Sequence, residues 1–196
     1  MKTNTSPPAR RRALPILGVA MLILAGATAC AGTPAPAPAA TESAPAAVTQ
    51  AAGPIEGVQV YTNLGSKHVK TPVTYEQSPG VGGDHNPAWT NCGIYTKPVE
   101  ETRAVHSMEH GAVWLTYRPD LPAAQVQKLT DLVGSSGYVL LSPYAGQASP
   151  VTATAWGAQL AVDSASDARM EQFLSKYVQG EQTPEPGAPC TGGVDG

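Results

Sequence analysis

From residue 112 onward the chain alternates between apolar runs of strand length and segments of helical period with one polar face. Ala112-Val113-Trp114-Leu115-Thr116-Tyr117 reads as a strand closed by Arg118-Pro119-Asp120. Residues 122–133 open on Pro122 and set Val126, Leu129, Leu132 and Val133 on one face, which predicts an amphipathic helix ended by Gly134 and Gly137. The unbroken apolar run 138–142 reads as a central strand. Residues 151–156 and 159–162 read as two more strands, and Gly157 between them can turn a hairpin. Asp163-Ser164-Ala165-Ser166-Asp167 offers caps for a last helix over about 167–179 that turns Met170, Phe173, Leu174 and Tyr177 inward. Strand, helix, three strands, helix predicts an α+β fold, a small sheet with two helices packed on one face.

The N-terminal third has neither period. Lys2 and Arg10-Arg11-Arg12 precede an apolar stretch over 14–26, then Ala27-Thr28-Ala29 and Cys30, the layout of a secretory signal and too short for a comfortable membrane span. The cysteine after small residues resembles the bacterial lipobox, in which cleavage leaves Cys30 as a diacylglycerol-bearing first residue. Ala27 stands where lipoboxes usually carry Leu, and ordinary Ala-x-Ala cleavage after Ala29 is the rival reading. The arginine run loosely resembles a twin-arginine signal, so the export route stays open between that and the general one. The reading is thus a lipoprotein-type signal peptide over 1–29 and a protein anchored by lipid on the outer face of the cell membrane. Residues 30–53 follow as an Ala/Pro-rich stretch that cannot bury a core and reads as a tether, up to about 70 Å long at about 3.1 Å per residue. The folded domain is expected over 54–190, with 191–196 as a tail.

Removing the signal takes four basic residues and no acidic one, so a net charge of −3 becomes −7, with eight basic residues against fifteen acidic. That balance excludes a basic nucleic-acid groove, and no dinucleotide fingerprint or phosphate loop points to a nucleotide cofactor. No protein partner is named by any motif.

With Cys30 assigned to lipid, Cys92 and Cys190 remain, and outside the cytoplasm such a pair most often forms a disulfide. It would pin the Pro-rich segment 183–190 onto the loop Trp89-Thr90-Asn91-Cys92 and stabilise the fold by up to about 4.7 kcal/mol. The alternative is that Cys92, seven residues from His85, is a metal ligand.

The candidate chemistry lies in His106-Ser107-Met108-Glu109-His110-Gly111. On a helix His106 and His110 share one face at ligand spacing, with Glu109 beside the second. His85, in the loop Gly82-Gly83-Asp84-His85-Asn86-Pro87, can bend toward that face, and His68 is either a fourth ligand or an exposed strand residue. Such a donor set suits zinc or copper(II). Met108 as a ligand would favour copper, but a regular helix turns it away from the histidines, toward the core. Ordinary roles for His106 and His110, a buried hydrogen bond and a helix C-terminal cap, compete with the metal reading.

Taken together, Gly83-Asp84-His85, Trp89 with Asn91-Cys92-Gly93-Ile94-Tyr95, the block 105–117, Leu140-Leu141-Ser142-Pro143-Tyr144, Ala155-Trp156-Gly157 and Pro184-Glu185-Pro186-Gly187-Ala188-Pro189-Cys190 resemble the bacterial domain of unknown function catalogued under the number 3105. The resemblance spans about residues 68–190 and implies an extracytoplasmic, often membrane-attached domain with no activity assigned. It matches the family pattern at His68, His85, His106, Glu109 and His110, whereas Met108 stands where many members carry Leu.

His106, Glu109 and His110 also fit the H-x-x-E-H arrangement of inverted zincins, in which Glu109 would act as base on zinc-bound water and Glu171, Glu181 or Glu185 would supply a third ligand. Gly111 ends the helix at once, unlike the long helix of those peptidases. Three functions follow from the sequence: a cell-surface metal-binding module, not clearly an enzyme; a zinc-dependent hydrolase using Glu109; and an envelope interaction or scaffold domain whose histidines are structural.

Overall fold

The apolar strand at 113–117 sits in the middle of the sheet and sorts its side chains between two cores. In the computed structural model, which describes residues 49–196, the strands are β1 Thr49–Ala52, β2 Gln59–Thr62, β3 Gly93–Ile94, β4 Val113–Tyr117, β5 Val139–Pro143, β6 Val151–Ala155 and β7 Ala158–Val162. The helices are α1 Glu101–Glu109, α2 Ala123–Val133 and α3 Arg169–Tyr177. The seven strands form one mixed sheet in the order β1-β2-β7-β6-β4-β5-β3. β4 runs parallel to β5 and antiparallel to β6, and α2 makes the crossover that a parallel β4–β5 pair requires.

Val113, Leu115 and Tyr117 of β4 point into a core with Leu129 and Val133 of α2 and Met170, Phe173 and Tyr177 of α3. Trp114 points the other way and packs with Leu140, Trp156 and the Ala104, Val105 and Met108 of α1. The architecture is α+β, with α2 and α3 together on one face as the helical pattern predicts, and a third helix, α1, covering the other. Both faces of β4 and β5 are therefore buried, which accounts for their continuous apolar sequence.

The sheet is wider than the apolar runs suggest. β2 and the two-residue β3 lie outside the predicted strands because they carry polar or glycine residues. β1 pairs with β2 from Thr49 onward, so the ordered sheet begins inside the stretch that composition reads as tether. Residues 191–196 are likewise tied down: Val194 donates its N–H to the Trp89 carbonyl at 2.9 Å and its carbonyl accepts from the Asn91 N–H at 2.8 Å. The signal peptide, most of the tether and Cys30 lie outside the described residues. Among those described, no helix is long and apolar enough to cross a membrane.

Candidate metal centre

α1 starts with Glu100 accepting a hydrogen bond from the Thr102 N–H and ends with His110 as its C-cap. Gly111 takes φ +94°, and a Cβ there would collide with the Gln179 side chain, so the helix stops and the chain turns into β4. The sequence 104–110 thereby divides cleanly. Ala104, Val105 and Met108 face Trp114, Leu140 and Trp156, while His106, Glu109 and His110 lie on the opposite face.

Met108 is fully buried in that apolar cluster. It is a core residue, and the idea of Met108 as a thioether ligand is set aside. The sulfur of Cys92 is likewise committed: it is disulfide-bonded to Cys190, with a Cα–Cα distance of 5.3 Å, which removes Cys92 from any ligand set. Ser107 donates to the Thr90 carbonyl at 2.6 Å and is buried, a structural role.

A parallel bridge between two loops brings His68 beside His85: the His85 N–H donates to the Lys67 carbonyl at 2.9 Å and the Val69 N–H to the His85 carbonyl at 2.7 Å. The loop after His85 then runs along α1, with the Asn86 N–H bonded to the Thr102 carbonyl and the Thr90 N–H to the Arg103 carbonyl. The result is a cluster in which one donor atom from each of His68, His85, His106 and Glu109 lies within 4.8 Å of all the others, a group able to hold a metal ion. His85 and Glu109 are 3.0 Å apart (Nε2 to Oε2), and His68 Nε2 is 3.2 Å from the same oxygen. His110 joins through His106, Nε2 to Nε2, at 3.0 Å. His85, His106, Glu109 and His110 are all buried, and His68 keeps 43 % of its side chain exposed.

The hydrogen bonds around the rim determine what the centre of the cluster presents. His85 Nδ1 donates to the Gly83 carbonyl, His106 Nδ1 to the Asn86 carbonyl and His110 Nδ1 to the Pro189 carbonyl, each at 2.7 Å. A carbonyl oxygen only accepts, so each Nδ1 carries a proton and each ring turns its Nε2 inward. The Nε2 atoms and a carboxylate oxygen then meet at 3.0–3.2 Å, spacings that an Nε2–H donor satisfies as a hydrogen bond and that a bound cation can also bridge. Burial pushes His106 down to about 4, with the neighbouring histidines adding to the effect and the Asn86 carbonyl opposing it. It is therefore a neutral ring at neutral pH, the state a metal ligand needs.

Of the outer parts of this site, Glu185 is among the third-ligand candidates of the hydrolase reading, whereas sequence reasoning misses Gln179 and the packing of Trp89. Trp89 packs its ring over His110 and His106, with centroids 4.8 and 5.6 Å away. Gln179, in a left-handed backbone conformation after α3, bonds through its side chain to the His110 carbonyl and through its N–H to the Gly111 carbonyl. Glu185 reaches His110, Oε2 to Nε2, at 3.5 Å. The one signal for these is the Pro-rich stretch ahead of Cys190. Once the disulfide docks that stretch, it becomes a wall of the site.

Residues 67–192 match the family model described as Protein of unknown function (DUF3105). No curated protein and no solved structure matches the chain. The matched segment holds every histidine, Glu109 and both cysteines of the disulfide, nearly all of the folded part, and the chain belongs to this family of unknown function.

Proposed function

We propose that this protein is an extracytoplasmic, lipid-anchored metal-binding module that holds one first-row divalent cation through His68, His85, His106, His110 and Glu109. The observation that carries this reading is the common orientation of three buried imidazoles, each spending its Nδ1 proton on a backbone carbonyl and aiming Nε2 inward. Carbonyl-oriented histidines of this kind are the usual support of metal ligands, fixing tautomer and ring direction.

The spacings and the donor set bear on which ion. Two ligands on one ion at bonds of about 2.1 Å are about 3.0 Å apart at a right angle and about 3.4 Å apart in a tetrahedron. The shortest contacts in the cluster are 3.0, 3.0 and 3.2 Å, within the span of both geometries, and the donor atoms of His68, His85, His106 and Glu109 lie within 4.8 Å of one another. Four imidazoles and a carboxylate suit zinc or copper(II), and the general affinity order favours copper.

The hydrolase reading needs Glu109 free to take a proton from water. Its Oε2 instead sits against both His68 and His85, a ligand's position, on a helix of nine residues. Localisation on the outer face of the membrane rests on the signal and Cys30 of the sequence.

Calorimetric titration of the full-length chain in detergent with copper(II) and with zinc, beside His106→Ala/His110→Ala, tests the proposal. One equivalent bound by the wild type, tighter for copper, and a loss of at least a hundredfold in the double variant is the expected result. No heat of binding with either ion would overturn it and leave the scaffold reading.

A further inference from the structure

The segment from Thr183 to Cys190 forms a strap across the mouth of the cluster, and it is fastened on both sides of Glu185. The Glu185 N–H donates to the Glu109 carbonyl at 3.1 Å, and the Thr183 N–H to the Gly180 carbonyl at 3.0 Å. Beyond it, the Gly187 N–H donates to Gln179 Oε1, Tyr138 donates its hydroxyl hydrogen to the Ala188 carbonyl, and the Pro189 carbonyl accepts from His110 Nδ1. The disulfide and the Cys92 N–H bond to the Cys190 carbonyl close the far end. A Pro-rich segment held this firmly over a buried histidine cluster is more than a covering, because it carries one charged side chain and directs it inward.

Glu185 Oε2 lies 3.5 Å from His110 Nε2. The same nitrogen faces His106 Nε2 at 3.0 Å, while Nδ1 donates to the Pro189 carbonyl on the strap. Two ring nitrogens from α1 and its C-cap and one carboxylate oxygen from the strap are thus linked by contacts of 3.0 and 3.5 Å. Half of the Glu185 side chain is exposed, against 5 % for His110. Glu185 is thus a carboxylate at the boundary between the buried ligands and water.

Resting on the metal-binding reading above, we propose that Glu185 is a solvent-side ligand of the same centre and governs how fast its ion exchanges. An ion held by His106 and His110 presents its remaining face toward the strap. A carboxylate there adds charge-assisted binding, and, exposed as His68 also is, it is open to displacement by an incoming chelator or acceptor. The strap sets the local concentration of that carboxylate at the ion, so its contribution is lost when the side chain is neutralised, even though the backbone stays in place.

The test uses the full-length chain in detergent loaded with one equivalent of copper(II), as wild type, Glu185→Gln and Glu185→Ala. Release of the ion to excess EDTA is timed, and the copper(II) paramagnetic resonance spectrum is recorded for each. Release at least tenfold faster in both variants, with a changed copper hyperfine splitting at retained one-to-one loading, is the expected result. Equal release rates with superimposable spectra would overturn the role of Glu185 while leaving the metal site standing. A wild type that takes up no copper would instead overturn the site itself. Because Glu185 is half exposed and its strap is held by backbone and disulfide contacts, the Gln variant keeps the fold, and unchanged far-ultraviolet circular dichroism checks this.

Discussion

His85, His106 and His110 have in common that a backbone carbonyl, and no side chain, fixes the tautomer of each. Here the second nitrogens face one another or a carboxylate. The consequence for stability can be worked out for His106. Burial holds it down to about 4 in the folded protein, whereas in the unfolded chain it takes a proton near 6.5. Below 6.5 the unfolded state binds a proton that the folded state refuses, so the metal-free protein loses stability as pH falls from 6.5 toward 4. Denaturant midpoints measured across that window should fall steadily, and a flat or rising profile would contradict the burial argument. In the folded protein a proton competes with an ion for His106 Nε2 only as pH approaches about 4, so loss of affinity through this residue sets in at the acid end of that window.

Among the elements, α1 has the most specific job, since one nine-residue helix supplies both the ligand face and the underside of a core. Its end depends on Gly111. Gly111→Ala introduces a Cβ at φ +94° against Gln179 and should cost about 1–3 kcal/mol by chemical denaturation, shifting His110 in the process. Trp114, wholly buried beneath α1 with its indole N–H bonded to Ser142, should cost about 3–5 kcal/mol when changed to Ala. Removing the disulfide in Cys92→Ser/Cys190→Ser should cost up to about 4.7 kcal/mol and loosen the strap over His110. A thermal midpoint unchanged by that pair would mean the strap is held without it.

The elements also explain how much was legible beforehand. β4, β5, β6 and α2 carry apolar runs or a clear helical stripe, and their extents agree with the pattern to within one or two residues. The ligand spacing of His106 and His110 was visible because it is local. The edge strands β2 and β3 were not, since their polar and glycine residues are ordered by pairing with distant partners. Nor could local pattern decide between a ligand and an exposed strand residue for His68, which enters the cluster through a bridge to His85. Glu185 reads as part of a Pro-rich tail until the disulfide and the Gln179 clasp bring that tail to α1. Local periodicity cannot register contacts closed over such distances.

For the whole molecule, the proposal is a folded metal centre carried on a long N-terminal segment from a lipid at Cys30. In its native host, Cys30→Ser should move the protein from the membrane fraction to the soluble extracytoplasmic fraction with metal content unchanged. Retention in the membrane would show that something other than Cys30 anchors it. The account stands or falls on the centre, and the X-ray absorption spectrum of the full-length chain loaded with copper(II) and dialysed probes it most directly. The predicted result is a retained equivalent of copper in a nitrogen and oxygen shell, with the outer scattering of at least three imidazoles and no sulfur. Copper lost on dialysis, or bound without imidazole scattering, would contradict it.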